Sequence, residues 1–240
     1  RMLAAHKAGV KIAAGSDAGV TAHGNNVREL EFYVDFETVS DLNDDFSNLP
    51  NKGGQPLIFM IGCGHIGRRL IKFLQPFDVD IRVYDPYLSS EIAAVLGFLK
   101  TSLEHILSES DVIVCLAPLT PRTRGMIGQR ELDMISSNSV FVNVSRGAIV
   151  DSDALIARLK RGDIVAGLDV FDPEPIPPDS EIIHLPNVFL SPHIAGVTAA
   201  SYTRFFSLMV DELGRYFDGH DTLFDLTPRS PANRRGADLV

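Results

Sequence analysis

The feature that most constrains the fold is a glycine-rich turn, Gly62-Cys63-Gly64-His65-Ile66-Gly67, which joins an apolar run to an amphipathic one. In this G-x-G-x-x-G pattern the first glycine permits a tight turn, and the second lets the backbone approach a pyrophosphate. The third lets the helix pack closely on the strand, and the amide groups at the helix N-terminus then face the phosphates. Glycine-rich turns are common, so the surrounding pattern decides what this one means.

Short apolar runs alternate with helical patterns from residue 56 onward. The runs are rich in β-branched or aromatic residues without polar alternation, which predicts strands covered on both faces. Their alternation with helices predicts right-handed βαβ units in a doubly wound parallel α/β sheet of the Rossmann type. The predicted strands are 57–61, 81–84, 112–116, 140–144, 164–170 and 188–190, and the predicted helices are 65–76, 89–96, 102–109, 130–136, 152–161 and a long one from about 198 to 218.

An acidic residue, Asp85, ends the second predicted strand, 18 residues beyond Gly67. A carboxylate at this position accepts hydrogen bonds from the ribose hydroxyls and repels a 2′-phosphate, so the sequence predicts NAD rather than NADP as the cofactor. The alternative is an ordinary turn aspartate, which the placement after strand and glycine turn disfavours.

Polar side chains follow three of the later predicted strands, at the edge where open α/β sheets place their sites. Arg146, His193 and a carboxylate from the segment 168–175 make a chemically complete set for reducing a 2-keto acid beside a nicotinamide. The arginine holds the substrate carboxylate and polarises its carbonyl. The histidine supplies the proton that neutralises the new alkoxide, and a carboxylate beside the histidine stabilises its charged form.

Four segments beyond the glycine turn carry a family resemblance. They are Pro-Leu-Thr-Pro-Arg-Thr-Arg-Gly at 118–125, Asn-Val-Ser-Arg-Gly at 143–147, Leu-Asp-Val-Phe-Asp-Pro-Glu-Pro at 168–175 and Leu-Ser-Pro-His-Ile-Ala-Gly at 190–196. With the glycine turn, they closely resemble the NAD-binding domain of the D-isomer-specific 2-hydroxyacid dehydrogenases, over about residues 53 to 224. The joint occurrence of these motifs in order makes the resemblance specific.

The resemblance implies an NAD-dependent oxidoreductase that transfers a hydride between the nicotinamide and a D-2-hydroxy acid or 2-keto acid. It implies that Arg146, Glu174 and His193 are catalytic, with His193 as the acid and base. It also implies the following cofactor contacts: Gly62, Gly64, His65, Ile66, Gly67, Asp85, Pro118, Thr123, Val144, Ser145, Arg146, Asp169, His193 and Gly196.

The first 52 residues do not resemble the substrate-binding domain with which members of this family begin, so most of that domain is expected to be missing. Residues 4–34 instead resemble the last barrel unit of metal-dependent amidohydrolases, with Asp17 as the metal-site aspartate. One βα unit cannot close an eight-stranded barrel, and the other ligands of that site are absent from the sequence, so we expect no metal. The predicted organisation is an N-terminal fragment and linker at 1–52, the Rossmann domain at 53–220 and a loose tail at 221–240.

Composition narrows the partners and the compartment. The 31 acidic and 22 basic residues give a net charge of −9, which disfavours nucleic acid and anionic membrane surfaces as partners. Cys63 and Cys115 lie in apolar runs and suggest no disulfide, which favours the cytoplasm. The long helix near the C-terminus carries a broad apolar stripe, so we expect a homodimer.

Three functions remain open at this stage. The first is an active dehydrogenase. The second is an NAD(H)-binding module without turnover, because the sequence shows no counterpart of the domain that forms half of the substrate cleft. An amidohydrolase is disfavoured by its missing ligands. The chain opens at Arg1 rather than a methionine and shows no secretory leader, so we expect a fragment or a fused reading frame.

Overall fold

Seven parallel strands form one sheet in a computed structural model that describes residues 56–196 and 199–224. The strand order is β3-β2-β1-β4-β5-β6-β7, so the predicted Rossmann-type sheet is confirmed. The strands are β1 (Leu57–Ile61), β2 (Asp80–Tyr84), β3 (Leu99–Lys100), β4 (Val112–Cys115), β5 (Val140–Asn143), β6 (Val165–Leu168) and β7 (Val188–Leu190).

Helices connect successive strands and flank the sheet. They are α1 (His65–Leu74), α2 (Ser90–Leu96), α3 (Leu103–Glu109), α4 (Gln129–Met134), α5 (Ser152–Leu159) and α6 (Ala199–Phe217), with single 3-10 turns at Gly147–Ile149 and Glu181–His184. Each predicted helix is present, with ends that differ by at most two residues. The amphipathic stretches and the parallel sheet thus follow the sequence pattern closely.

The order of the strands reverses between β1 and β4. The chain builds outward from β1 through β2 to β3, returns to place β4 on the other side of β1, and continues outward to β7. All strands are parallel, so their carboxyl ends lie at one edge, and the loops after β1 and β4 leave the sheet from the neighbouring residues Ile61 and Cys115. Open sheets of this type bind ligands in the crevice at such a reversal.

Alternate residues of β1 point into two separate cores. Phe59 and Ile61 pack with apolar residues of α3, α4 and α5, whereas Ile58 and Met60 pack with residues of α1 and α2. The prediction of strands covered on both faces is therefore confirmed for β1. On β4, Ile113 and Cys115 belong to the first core and the half-buried Val112 and Val114 pack against the second, so β4 is covered on both faces as well. On β5, buried and half-buried residues alternate.

Two local features were beyond the sequence pattern. The edge strand β3 was not predicted, because it has only two residues and both are exposed. Strand β6 is shorter than predicted, because the chain leaves the sheet at Asp169 to build the site described below.

Two helices begin with a side-chain cap: Ser102 accepts a hydrogen bond from the His105 amide at 3.2 Å, and Asp151 accepts one from the Ala154 amide at 2.9 Å.

Arg158 on α5 is a buried cation that links three parts of the fold. Its guanidinium donates to the carbonyl oxygens of Leu132 at 3.0 Å and Ile135 at 2.9 Å, where α4 ends. It also donates to the carboxylate of Asp163, which stands just before β6. The hydrogen bond from Arg158 holds the pKa of Asp163 below its ordinary value.

We expect Asp163→Asn to lower the free energy of unfolding near pH 7 by roughly 1–2 kcal/mol, because Arg158 loses a charged acceptor that is about one-third exposed. The folded-state pKa of Asp163 is depressed, so its stabilising effect is present above the unfolded pKa and is lost as the pH falls through the folded value. The free energies of unfolding of parent and variant, measured with urea at pH values from 7 to 3, should therefore converge as the pH falls.

The matched control is Asp133→Asn, which breaks the exposed pair between Asp133 and Arg161 and should change stability little. A difference between parent and Asp163→Asn that persists unchanged at pH 3 would contradict the electrostatic interpretation.

Candidate cofactor site and catalytic histidine

Two glycines of the turn after β1 are required by the protein's own backbone. Gly62 has φ +96°, and a Cβ there would lie 2.9 Å from the Cα and N atoms of Ala117, in the loop after β4. A Cβ on Gly67 would lie 2.9 Å from the carbonyl oxygen of Gly62. These two positions bring the loops after β1 and β4 together and seat α1 against the turn.

Gly64 is different, because a Cβ there would meet no atom within 4 Å. It is exposed and forms the N-cap of α1, and as a glycine it has no side chain to cap the first amide groups of that helix. A glycine that no protein contact requires, at an uncapped helix N-terminus, fits a bound pyrophosphate. His65, exposed, and Ile66, half-buried, begin the same helix.

Asp85 at the end of β2 is built into the turn. Its Oδ2 atom accepts a hydrogen bond from the Cys63 amide at 2.9 Å, and its Oδ1 atom accepts one from the Tyr87 amide at 2.9 Å. The carboxylate thus orders the glycine turn and keeps lone pairs that a ribose hydroxyl can use. Burial raises the pKa of the Cys63 thiol to about 11, so this residue stays neutral beside the place predicted for the phosphates.

The predicted catalytic pair is in contact. The Nδ1 atom of His193 lies 2.5 Å from the Oε1 atom of Glu174, and the His193 side chain is 24% exposed. Because Glu174 occupies Nδ1, the Nε2 atom is the ring nitrogen that can exchange a proton with a substrate. His193 also has φ +51°, a conformation that costs a non-glycine residue about 1 kcal/mol or more and that clusters at functional sites.

Asp169 is buried and holds the loop that carries His193. Its Oδ1 atom accepts from the hydroxyl of Ser191 and from the Ile194 amide at 3.1 Å. Its Oδ2 atom accepts from the Ala195 amide at 3.2 Å. A carboxylate has about four acceptor positions, so one remains for the cofactor contact that the family resemblance predicts.

Arg146 follows β5 on a turn that Asn143 closes. The Asn143 side chain donates to the Arg146 carbonyl oxygen at 3.1 Å and accepts from the Ser145 amide at 3.1 Å. The next residue, Gly147, packs so tightly that a Cβ would overlap the carbonyl group of Phe171. The turn with Arg146 is thereby fixed against the segment that leads to Glu174.

The remaining predicted cofactor contacts line the same edge of the sheet. Thr123 donates its hydroxyl to the Pro118 carbonyl oxygen at 2.6 Å and closes the loop after β4. Buried Ser145 donates its hydroxyl to the Ala117 carbonyl oxygen, which links the loops after β4 and β5. Val144 and Gly196 are buried.

Two supporting residues, Asn143 and Ser191, were not predicted as site residues. Both are buried polar side chains, Asn143 inside the last position of an otherwise apolar strand and Ser191 directly after one. A polar residue that interrupts a buried strand at its carboxyl end is the signal that could have identified them.

The comparison with protein families decides the relationship. A family model described as "D-isomer specific 2-hydroxyacid dehydrogenase, NAD binding domain" matches residues 47–195, more than half of the chain. The chain belongs to this family. It therefore carries the NAD-binding domain of the D-isomer-specific 2-hydroxyacid dehydrogenases, as the motifs predicted, and NAD is the cofactor of that domain.

Individual relatives have several names. The chain is 37% identical over 155 residues to a glyoxylate reductase of Korarchaeum cryptofilum, covering 64% of this chain and 47% of the relative. It is 33% identical over 162 residues to a D-3-phosphoglycerate dehydrogenase of Methanocaldococcus jannaschii, covering 67% and 31%. The chain thus spans between a third and a half of the length of these curated relatives.

Solved structures show the same fold. A D-mandelate dehydrogenase of Rhodotorula graminis has a TM-score of 0.67 and 25% identity, covering 87% of this chain and 61% of that one. A 2-hydroxyacid dehydrogenase of Xanthobacter autotrophicus, solved with NADPH and MES, has a TM-score of 0.66 and 25% identity, covering 91% and 92%.

The part of the chain that the structure describes contains neither a membrane-spanning helix nor a group of side chains that could hold a metal ion. Across residues 56–196 and 199–224, no helix combines the length and apolarity needed to cross a membrane. Among the same residues, no three His, Cys, Asp or Glu side chains are grouped so that they could hold a metal ion. The amidohydrolase-like segment with Asp17 lies outside the described residues.

We expect Gly64→Ala to weaken NADH binding by at least about tenfold while leaving the thermal unfolding temperature nearly unchanged, because its methyl group would enter only the space for the pyrophosphate. Gly62→Ala should instead lower stability, since its Cβ would press on the backbone of Ala117. Fluorescence titration with NADH and a thermal melt measure the two effects separately.

Gly214→Ala, on α6, is the control. A Cβ at this position also meets no atom within 4 Å, and it should leave NADH binding unchanged. Unaltered NADH affinity in Gly64→Ala would place the phosphates elsewhere.

Proposed function

We propose that this protein catalyses the NAD-dependent interconversion of a 2-keto acid and the corresponding D-2-hydroxy acid. The observation that supports this most directly is the contact between His193 and Glu174 at the edge of the sheet that also carries the glycine turn. Arg146, Glu174 and His193 follow three neighbouring strands, β5, β6 and β7, so they share that edge.

In the direction of reduction, Arg146 binds the substrate carboxylate and polarises the adjacent carbonyl group. The glycine turn would hold NADH, which when bound would supply the hydride for the carbonyl carbon. His193 donates its Nε2 proton to the carbonyl oxygen as that bond forms, which gives the hydroxyl group and leaves a neutral imidazole. Glu174 stabilises the imidazolium form before the transfer and fixes the ring through Nδ1. Oxidation of the hydroxy acid reverses these steps.

The second candidate is an NAD(H)-binding module without turnover. The chain spans between a third and a half of the length of the curated relatives, so the part of a relative that completes the substrate cleft has no counterpart in the matched region. This module would bind NADH through the glycine turn but reduce no 2-keto acid. Turnover separates the two candidates, because both predict cofactor binding.

We expect His193→Ala to lower 2-keto acid reduction by about 10²–10⁴-fold, the usual contribution of a general acid, while NADH binding stays nearly unchanged. Glu174→Gln should also lower activity, because the imidazole ring then loses the carboxylate that it contacts through Nδ1. The assay is NADH oxidation with hydroxypyruvate, glyoxylate, pyruvate and 2-oxoglutarate.

His184→Ala is the matched control, since His184 is an exposed histidine in the 3-10 turn before β7. It should keep full activity. A fully active His193→Ala variant would refute the assignment of the proton donor, and a parent chain that binds NADH but reduces none of the four acids would favour the non-catalytic module.

We also propose that Asp85 selects NADH over NADPH, because its carboxylate would face a 2′-phosphate. The Xanthobacter protein was solved with NADPH, so the preference between NADH and NADPH is a property to test in this family. Asp85→Ser and Asp85→Asn should both narrow the difference between the two dissociation constants, and Asp85→Asn keeps an acceptor for the Cys63 amide. Equal affinities for the two cofactors in the parent chain would count against the proposal.

A homodimer is the assembly that we propose. One face of α6 exposes large apolar side chains that a second copy could cover. These residues are Phe206, Val210, Leu213, Tyr216 and Phe217. We expect sedimentation velocity at micromolar concentration to give a dimer, and Leu213→Glu to shift it toward monomer. A parent chain that sediments as a monomer would refute this assembly.

We further propose a reducing compartment, the cytoplasm. Cys63 and Cys115 are both buried free thiols, and burial raises the pKa of Cys115 to about 12. Cell fractionation tests the location, and recovery with secreted proteins would contradict it.

A further inference from the structure

Ser191 connects the loop of the proposed proton donor to the sheet. It lies directly after β7, is 9% exposed, and donates its hydroxyl to the Oδ1 atom of Asp169. Asp169 itself is 2% exposed and directly follows β6, the neighbouring strand. The contact therefore joins the ends of two strands through a buried carboxylate, where an ionic hydrogen bond is strong and well defined.

The backbone of Ser191 determines where His193 begins. Its amide continues the sheet by donating to the Leu168 carbonyl oxygen at 2.9 Å, and its carbonyl oxygen accepts from the His193 amide at 3.0 Å. Pro192 stands between the two residues, and proline restricts both its own φ and the conformation of the residue before it. Ser191 thus starts a tight turn that ends at His193 in the left-handed region.

Asp169 holds this turn from both sides of His193. The Ser191 hydroxyl reaches it from two residues before the histidine, and the amides of Ile194 and Ala195 reach it from after the histidine. Ser191 provides the side-chain hydrogen bond on the early side. Without it, the buried Oδ1 atom of Asp169 loses one of its two donors, and the backbone at His193 is held by Asp169 from one side only.

We propose that Ser191 is a positioning residue for proton transfer by His193. This role of Ser191 rests on the proposed dehydrogenase function. The hydroxyl of Ser191 keeps the backbone of His193 in its left-handed conformation, which sets the distance of 2.5 Å between the imidazole and Glu174. Glu174 then orients the ring, whereas Ser191 and Asp169 fix the backbone from which the ring projects.

A purely structural role for Ser191 makes a different prediction. Ser139 is another buried serine, 2% exposed, whose hydroxyl donates to the Ser110 carbonyl oxygen at 2.7 Å, before β5 and at the amino end of the sheet. If Ser191 served stability alone, Ser191→Ala and Ser139→Ala would lower the unfolding temperature and leave kcat per folded molecule unchanged. A positioning role predicts a loss of kcat that only the first variant shows.

The experiment compares the parent chain with Ser191→Ala, Ser191→Thr and Ser139→Ala. For Ser191→Ala we expect kcat for 2-keto acid reduction to fall by about 10- to 100-fold, as small displacements of catalytic groups do, with the dissociation constant of NADH within twofold of the parent. Ser191→Thr, which keeps the hydroxyl, should restore most of kcat. Ser139→Ala should keep the kcat of the parent.

A second readout does not depend on turnover. Carbethoxylation of His193 by diethyl pyrocarbonate, followed by peptide mass spectrometry, should be faster in Ser191→Ala and close to the parent rate in Ser191→Thr and Ser139→Ala. A displaced imidazole loses its contact with Glu174 and becomes more accessible.

If the parent protein is active and Ser191→Ala is equally active, the role proposed for Ser191 is refuted, whereas the proposed function stands. An unchanged carbethoxylation rate in Ser191→Ala would overturn it as well. A parent chain that binds NADH but reduces no 2-keto acid would overturn the proposed function, and with it a role for Ser191 in proton transfer.

Discussion

Seven strands running in the same direction place every strand end at one edge of the sheet, and the site depends on this arrangement. The glycine turn follows β1, and Asp85 directly follows β2. The loops with Arg146, Glu174 and His193 follow β5, β6 and β7. Reversing any strand would send its loop to the opposite edge. The reversal of strand order between β1 and β4 then opens a crevice at that edge, which is where this fold binds a dinucleotide.

Three carboxylates at this edge have separate structural tasks. Asp85 accepts backbone amides of the glycine turn, Asp169 accepts donors from the loop of His193, and Glu174 contacts the imidazole ring itself. The first two are hydrogen-bonded by amide groups, which disperse their charge within the protein. Each carboxylate is committed to the backbone or side chain that it positions, and at Asp85 we propose that the same carboxylate also repels a 2′-phosphate.

The region that matches the family covers only part of the relatives' length. It includes both the glycine turn and the contact between His193 and Glu174. One face of α6 exposes large apolar side chains, and this is the face that we propose a second copy covers.

The sequence by itself determined the fold class, the glycine turn and the strand ends that carry Asp85, Arg146 and His193. These depend on local patterns, namely hydrophobic periodicity, glycine spacing and the first polar residue after a strand. The tertiary structure alone decided that Arg158 is a buried link to Asp163 and that Ser191 reaches Asp169 across neighbouring strands. The partners in these contacts become neighbours only when the chain folds, because whether a polar side chain faces solvent or a buried acceptor depends on elements far away in the sequence.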